Sequence, residues 1–168
     1  MNILRFIGNL LLAIVLIALI AAILLLGGGM VLSRTWETAG LDESAEGGQW
    51  LWIEAQPIYY RIWGGENSST VVLVHGFDVG GSATWLINGP ALAKSGLRVV
   101  AVDLKGFGHS VRDPQPHYSL DEQALLLGKA LNELHISNAT VVGCGWGGAV
   151  ASQLAREQPQ FVKQLVLI

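Results

Sequence analysis

The chain has 168 residues, of which 51% are hydrophobic and 14% are charged, and its formal net charge at pH 7 is −3. This length accommodates one soluble domain at most, and a mean hydropathy of +0.46 is high for such a domain. The sequence has no basic run, no zinc-type spacing of cysteine and histidine, and a single cysteine. Nucleic acid, metal ions, other cofactors and an internal disulfide are therefore not expected.

The excess apolar character lies near the N-terminus. The run from Leu10 to Leu32 contains no charged residue and, at about 1.5 Å per residue, is long enough to cross a hydrocarbon core of about 30 Å. Residues 1–32 are therefore predicted to form a short tail and a transmembrane helix, with the lipid bilayer as a partner. A cleaved secretory signal that ends near Gly27–Gly29 is the alternative. By the positive-inside rule, Arg5 favours a single-pass topology with the N-terminus in the cytoplasm and the domain outside. Arg34, on the other side of the helix, favours the reverse.

Residues 33–48 are polar and bounded by glycine, and they are predicted to form a linker. Residues 49–168 then alternate between strand and helix patterns. "WLWIEA" and "IYYRIW" indicate two antiparallel strands with Pro57 between them. Four short apolar runs indicate further strands, namely "STVVLVHG", "LRVVAVDL", "ATVVG" and "FVKQLVLI". A helix is predicted from Thr84 to Lys94, between the first two of these runs.

Two more helices complete the alternation. In "YSLDEQALLLGKALNELHI", Ser119 is predicted to cap the helix and Glu122 to complete a capping box. One apolar stripe follows at helical spacing, formed by Ala124, Leu127, Leu131 and Leu134. The other helix, "GGAVASQLAREQ", is predicted to end before Pro159. Repeated strand–helix–strand units predict an α/β fold with a mostly parallel sheet flanked by helices.

Three turns follow the carboxyl ends of the predicted parallel strands, where ligands bind in such sheets. They span His75–Gly81, Asp103–Ser110 and Gly143–Gly148, within "VVLVHGF", "VVAVDLKGFGHS" and "VVGCGWGGAVA". In order and spacing these motifs resemble the α/β-hydrolase superfamily, with its HG turn, its D-x-x-G-x-G-x-S segment and its nucleophile elbow, V-G-x-S-x-G-G. The resemblance covers about Trp50–Ile168. It implies the N-terminal part of an α/β-hydrolase fold, incomplete at its C-terminus.

The elbow departs from the family at its central residue. Aligned on its small residues, the elbow has Gly145 where the family has serine, flanked by Gly143 and Gly147. A nucleophilic Cys144 would instead place Trp146 at a position that must be small. Cys144 is therefore interpreted as a small buried thiol.

The resemblance also implies which groups bind and which are structural. Its oxyanion hole would use the backbone N–H groups of Phe77 and Trp146, while the charge of Asp78 would oppose an oxyanion. The elbow residues it implies are Gly143, Cys144, Gly147 and Gly148. The residues with structural roles in turns are His75, Gly76, Asp103, Gly106, Gly108, His109 and Ser110. Of these, Asp103 is expected to fix its turn through side-chain hydrogen bonds.

A complete triad is not expected in this chain. In the family the catalytic acid and histidine follow later strands, whereas this sequence ends at Ile168 on an apolar strand and is expected to be a fragment of a longer reading frame. His117 and His135 flank a helix and are expected to be solvated. The resemblance implies hydrolysis of a small ester or amide, but Gly145 predicts that the chain is inactive as a hydrolase.

Two alternatives remain open at this stage. One is a non-catalytic, membrane-tethered binding module that uses the same pocket for an ester-like small molecule. The other is a dinucleotide-binding unit, because Gly143, Gly145 and Gly148 form a G-x-G-x-x-G pattern between a strand and a helix. That pattern ordinarily opens the first strand–helix–strand unit, whereas here two core strands precede it.

Overall fold

The computed structural model describes residues 3–38, 47–66, 68–113 and 117–168. The chain divides into two compact units, Met1–Ala39 and Gly40–Ile168. The first unit contains one long helix, α1, Ile3–Thr38. Within α1, the segment Phe6–Leu32 contains an 18-residue window with a mean hydropathy of 3.3 and is long and apolar enough to cross a membrane, a description that a signal sequence also meets. Helix α1 includes the first six residues of the predicted linker, 33–38. Residues 39–46 of that linker lie outside the described residues.

The second unit, called here the sheet unit, is built on a six-stranded sheet in the order β1-β2-β4-β3-β5-β6. The strands are β1 Gln49–Ile53, β2 Gln56–Trp63, β3 Thr70–Val74, β4 Arg98–Val102, β5 Ala139–Gly143 and β6 Val162–Leu167. The first two strands pair antiparallel, as does β2 with β4, and the remaining neighbours are parallel. The predicted mostly parallel α/β sheet is confirmed.

The helices pack on this sheet as the alternating pattern predicts, with one correction. They are α2 Asn88–Lys94, α3 Leu120–Glu133 and α4 Trp146–Glu157. The helix predicted from Thr84 to Lys94 is instead a 3₁₀ segment, Gly81–Trp85, followed by α2. Pro90 explains the break, because its missing N–H is tolerated in the first turn of a helix but not within a continuous one.

The hairpin of β1 and β2 differs from the prediction in the position of Pro57. Pro57 is the second residue of β2 and lies opposite Trp52, not between the strands. The turn is formed by Glu54 and Ala55, both with positive φ, which is typical of a tight two-residue hairpin. β2 pairs with β4 only from Tyr60 onward. Pro57, which has no N–H to donate, therefore lies outside that ladder.

Helix α3 is capped and packed largely as predicted. The Ser119 hydroxyl accepts a hydrogen bond from the Glu122 backbone N–H at 3.2 Å, and Ala124, Leu127 and Leu131 are buried. The capping box is only half formed, because the Glu122 carboxylate accepts instead from Lys105 Nζ at 2.8 Å. The Lys105 side chain is only 2% exposed, and a buried ammonium group requires a nearby carboxylate.

The order of the strands places a switch point between β3 and β5. From β3 the chain proceeds to β4 on one side, whereas from β5 it proceeds to β6 on the other side. In an open α/β sheet, such a reversal leaves a crevice at the carboxyl ends of the two strands. The turns after Val74 and after Gly143 meet in this crevice.

Candidate functional site

The turn between β5 and α4 is a sharp elbow with Gly145 at its apex. Gly145 has φ 51° and ψ −115°, in the left-handed region that favours glycine. Its N–H donates to the carbonyl oxygen of Ile168 at 3.0 Å, and the Gly147 N–H donates to that of Cys144 at 2.8 Å. The second bond closes the turn between β5 and α4, and the first ties that turn to the residue after β6.

The space around each elbow glycine distinguishes their roles. A Cβ atom on Gly143 would lie 2.5 Å from the carbonyl oxygen of Gly147, and one on Gly147 would lie 2.5 Å from that of Val74. Both positions therefore exclude a side chain. A Cβ atom on Gly145 would meet only the Cα atom of Gly76, at 4.0 Å, which is an ordinary contact. Residue 145 is thus the elbow position with room for a side chain.

Cys144 does not occupy the apex. Its N–H donates to the carbonyl oxygen of Val74 at 3.0 Å, and the residue is half-buried. Its side chain packs against the apolar cluster that contains Leu73 and Trp85. The thiol is therefore part of the packing behind the elbow.

Two peptide groups beside Gly145 accept hydrogen bonds through their carbonyl oxygens, but their N–H groups donate to no described residue. The Gly76 carbonyl accepts from Asp78 N at 2.9 Å and from His75 Nδ1 at 2.7 Å. The Gly145 carbonyl accepts from Gly148 N at 3.0 Å. The N–H of each peptide points away from its oxygen, because the peptide is trans. Within the described part of the chain, neither of these N–H groups donates a hydrogen bond.

These two N–H groups are those of Phe77 and Trp146, the donors named from the resemblance. Trp146 is the first residue of α4, so the positive end of the helix dipole adds to its N–H. Gly76, the residue that precedes Phe77, is the neighbour of the open position at Gly145. The elbow therefore combines an open apex with two donors suited to a carbonyl or carboxylate oxygen.

His75 fixes the HG turn and has no ring nitrogen left for proton transfer. The imidazole is buried, its Nδ1 donates to the Gly76 carbonyl, and its Nε2 accepts from the Leu104 N–H at 3.0 Å. Burial lowers the pKa of His75, and it outweighs the hydrogen bond to Gly76, which raises the pKa. The side chain is therefore a neutral imidazole that joins two loops.

The segment from Asp103 to Ser110 is a structural turn built on a buried carboxylate. Asp103 accepts from the backbone N–H groups of Ser82 at 2.5 Å and His109 at 2.8 Å. Ser110 donates its hydroxyl to the Asp103 carbonyl at 2.7 Å and accepts from Tyr59 N at 2.9 Å. Gly106 and Gly108 have positive φ within this turn. The Asp103 side chain thus holds this turn through hydrogen bonds, the role expected of it.

The remaining polar residues of the predicted site lie apart from it or point back to their own loop. Asp78 is exposed and accepts from Gly80 N at 2.9 Å and from Thr84 Oγ1 at 2.8 Å. The hydrogen bond from Gly80 and then that from Thr84 hold the pKa of Asp78 below its usual value. The ring of His109 packs 4.8 Å from that of Tyr59. His117 and His135 are exposed.

Sequence reasoning missed the cluster around Lys105. This buried ammonium pairs with Glu122 at 2.8 Å, lies 3.7 Å from Asp113 and stands over the Tyr118 ring. Only the apolar neighbourhood of Lys105 in "VVAVDLKG" hinted at its burial. Among the described residues, no group of three or more histidine, cysteine, aspartate or glutamate side chains is placed to hold a metal ion.

Comparison with known proteins agrees with this geometry. The family model described as alpha/beta hydrolase fold matches residues 69–168. The dihydrolipoyllysine-residue acetyltransferase component of the acetoin cleaving system of Pseudomonas putida is 43% identical over 105 residues, which cover 62% of this chain and 28% of that protein. Bifunctional epoxide hydrolase 2 of Sus scrofa is 38% identical over 98 residues, which cover 58% of this chain and 18% of that protein.

A solved structure extends the similarity toward the N-terminus. A membrane phospholipase A, described as a bacterial virulence factor, has a TM-score of 0.68 and 27% identity, and the match covers 95% of this chain and 51% of that one. A match of that extent includes residues of α1. The chain spans less than a third of the two curated relatives and about half of this structural neighbour.

Proposed function

This chain belongs to the α/β-hydrolase family, and on that premise we propose that it is a membrane-anchored unit that binds the carbonyl or carboxylate group of a small ester-like molecule. In this proposal the unit binds without the covalent catalysis of a serine hydrolase. The observation that carries the proposal is the apex at Gly145, which has no nucleophile but lies beside the N–H groups of Phe77 and Trp146, neither of which donates to a described residue.

The two donors favour an anion over a neutral carbonyl. A hydrogen bond between neutral groups contributes about 0.5–1.5 kcal/mol net, and one to a charged group contributes about 1.5–3 kcal/mol. The N-terminus of α4 adds a positive potential at the same place. The carboxylate of Asp78, in the adjoining loop, accepts hydrogen bonds from Gly80 N and Thr84 Oγ1. Its two oxygens are therefore engaged within their own loop.

The same geometry argues against turnover by a serine-type mechanism. Removing the nucleophile from a complete triad typically lowers kcat by about 10⁶-fold. Gly145 has no side chain to supply a nucleophilic oxygen or sulfur atom, Cys144 is packed behind the elbow, and both nitrogens of His75 are engaged. The role of the unit would therefore be to bind, with hydrolysis of an ester or amide by the whole protein as the second candidate. The similarity to an epoxide hydrolase favours that second candidate.

The dinucleotide alternative has no comparable support. The three glycines of its pattern are Gly143, Gly145 and Gly148, and all lie within the segment that the hydrolase family matches. Their spacing is also accounted for by the elbow, where Gly143 must be small and Gly145 has positive φ.

We place α1 across a membrane as part of this proposal, with the N-terminus in the cytoplasm and the sheet unit outside. Support comes from the 27-residue apolar segment Phe6–Leu32 and from the similarity to a membrane phospholipase A that extends into α1. The orientation rests on Arg5 and the positive-inside rule.

The proposal is tested by titrating butyrate into the full chain in detergent micelles while the amide signals of Phe77 and Trp146 are followed by NMR. We expect saturable shifts at both amides. Gly145→Leu should fill the open apex and weaken binding by about tenfold or more. Gly96→Leu is the matched control, because Gly96 also has positive φ and open space around it but lies in the turn before β4.

A second measurement addresses turnover. The wild-type chain should show no burst of nitrophenol from p-nitrophenyl butyrate and no label from a fluorophosphonate. Butyrate shifts spread over the surface and unchanged by Gly145→Leu would overturn the binding site. A burst or a covalent adduct would instead establish the hydrolase candidate.

A further inference from the structure

The loop between β3 and α2 exposes large apolar side chains beside the candidate site. This apolar loop, residues 77–87, carries Phe77, Val79, Leu86 and Ile87 at its surface. Phe77, Val79 and Ile87 are each at least 82% exposed. Single exposed apolar residues are common in proteins, but four in one short loop are typical of an interaction surface.

Hydrogen bonds hold the backbone of the apolar loop in the conformation that exposes these side chains. The Gly81 N–H donates to the Asp78 carbonyl at 3.1 Å, and the Asp78 carboxylate joins Gly80 to Thr84. The Gly108 N–H donates to the Val79 carbonyl at 3.0 Å and so fastens the loop to the Asp103 turn. The apolar side chains therefore project from a fixed backbone.

The apolar loop lies at the same edge of the sheet as the open apex. It begins directly after Gly76, the neighbour of Gly145, and it ends where α2 starts. A molecule that reaches the N–H groups of Phe77 and Trp146 would thus approach beside this apolar surface.

We propose that the apolar loop docks on the lipid surface of the membrane that α1 crosses, so that the site takes an amphiphile with a carboxylate or ester head and an acyl chain. This inference rests on the membrane anchor of the proposed function. Only eight residues, 39–46, separate Thr38 from Gly47, and eight residues span at most about 30 Å. A membrane crossed by α1 keeps lipid at high local concentration for the sheet unit.

The charge of the loop specifies the kind of lipid. Residues 77–87 include no lysine or arginine, and Asp78 is their only charged residue. Basic residues are what attract a loop to anionic lipid. The apolar loop should therefore dock on zwitterionic phosphatidylcholine, without a requirement for anionic lipid.

Photocrosslinking of the full chain in phosphatidylcholine nanodiscs tests the inference. The benzophenone amino acid p-benzoylphenylalanine is introduced by Val79→p-benzoylphenylalanine or Ile87→p-benzoylphenylalanine. Trp52 is the matched control, since it is also exposed but lies on the β1–β2 hairpin. Leu19, within the apolar segment of α1, reports on the anchor itself.

Lipid adducts measured by mass spectrometry should be about tenfold or more higher from positions 79 and 87 than from position 52, because docked apolar side chains reach the acyl boundary. Replacing a third of the phosphatidylcholine by phosphatidylglycerol should not raise the yield. If position 19 gives adducts but positions 79 and 87 give no more than the control at position 52, the docking of the loop is overturned while the membrane anchor stands. An absence of adducts from position 19 would contradict the membrane anchor.

A second pair of variants separates docking from a general loss of structure. Leu86→Asp places a charge in the apolar loop and should lower the adduct yield at position 79 severalfold. Leu125→Asp places the same charge on the exposed face of α3 and should leave that yield unchanged. Equal effects of the two variants would contradict the inference, as would adducts to a second copy of the chain in place of lipid.

Discussion

The Nε2 atom of His75 accepts a hydrogen bond from the backbone N–H of Leu104 at 3.0 Å. The two residues lie 29 positions apart, and each follows the carboxyl end of its strand, β3 or β4. The same ring donates through Nδ1 to the Gly76 carbonyl, which positions the peptide that carries the Phe77 N–H. One neutral imidazole therefore joins the loop that forms the candidate site to the loop that supports it.

This arrangement predicts that stability falls in mild acid. Burial lowers the pKa of His75 in the folded chain below the usual value of about 6.5. Below that usual value the unfolded chain binds a proton that the folded chain resists, so the free energy of unfolding decreases as the pH falls. For one proton the steepest slope is about 1.4 kcal/mol per pH unit, until the pH reaches the lower pKa of the folded state.

Thermal unfolding of the full chain in detergent, followed by near-ultraviolet circular dichroism between pH 7.5 and 5, measures this effect. His75→Gln removes the titrating group and should flatten the pH dependence while lowering the overall stability. His135→Gln removes an exposed histidine as the control. An unchanged slope in His75→Gln would assign the acid sensitivity to other groups.

The buried Asp103 carboxylate is predicted to contribute more to stability than the similar carboxylate of Asp78. Asp103→Asn keeps the shape but puts an amide N–H₂ against one of the backbone donors, Ser82 N or His109 N. The loss should be about 2–4 kcal/mol, since a buried donor loses a charged partner. Asp78→Asn makes the same change at an exposed site with two hydrogen bonds and should cost less. Equal losses measured by urea unfolding would contradict the distinction by burial.

The elbow predicts an order of tolerance among its glycines. Gly145→Ser should fold with a loss of about 1–3 kcal/mol, because only its left-handed φ is unfavourable. Gly143→Ser should cost more, since its Cβ atom would meet the backbone at 2.5 Å. The midpoints of thermal unfolding of the two variants give the comparison directly. If Gly143→Ser were the milder change, Gly145 would not be the apex of the turn.

Much of the fold could be predicted because its determinants are local. The buried strands are short apolar runs, and the Ser119 cap and the apolar stripe of α3 lie within one helix. The elbow could be aligned from small residues alone, since Gly143 and Gly147 are required by close backbone approach. These patterns depend on sterics and burial that neighbouring residues in the sequence reveal.

The differences arose where distant residues compete with a local pattern. Glu122 had the spacing of a capping box, but the buried Lys105, 17 positions away, takes its carboxylate. Similarly, no local signal indicated that Asp103 bonds to the backbone of Ser82, 21 positions earlier. Contacts of this kind depend on which loops the sheet order brings together, and a single sequence does not encode that order as a pattern.

The last prediction concerns α1 as a membrane anchor. Leu19 is near the middle of the apolar segment Phe6–Leu32, where an arginine costs about 2.5–3.5 kcal/mol of insertion free energy. Leu19→Arg should therefore move a large share of the chain from the carbonate-resistant membrane fraction to the soluble fraction, whereas Leu19→Phe should leave it in the membrane. A tag on the N-terminus distinguishes an anchor from a signal sequence, because cleavage near Gly27–Gly29 would remove the tag from the mature chain. Retention of the tag on membrane-bound chain supports the anchor, and its loss would replace the anchor with a cleaved signal.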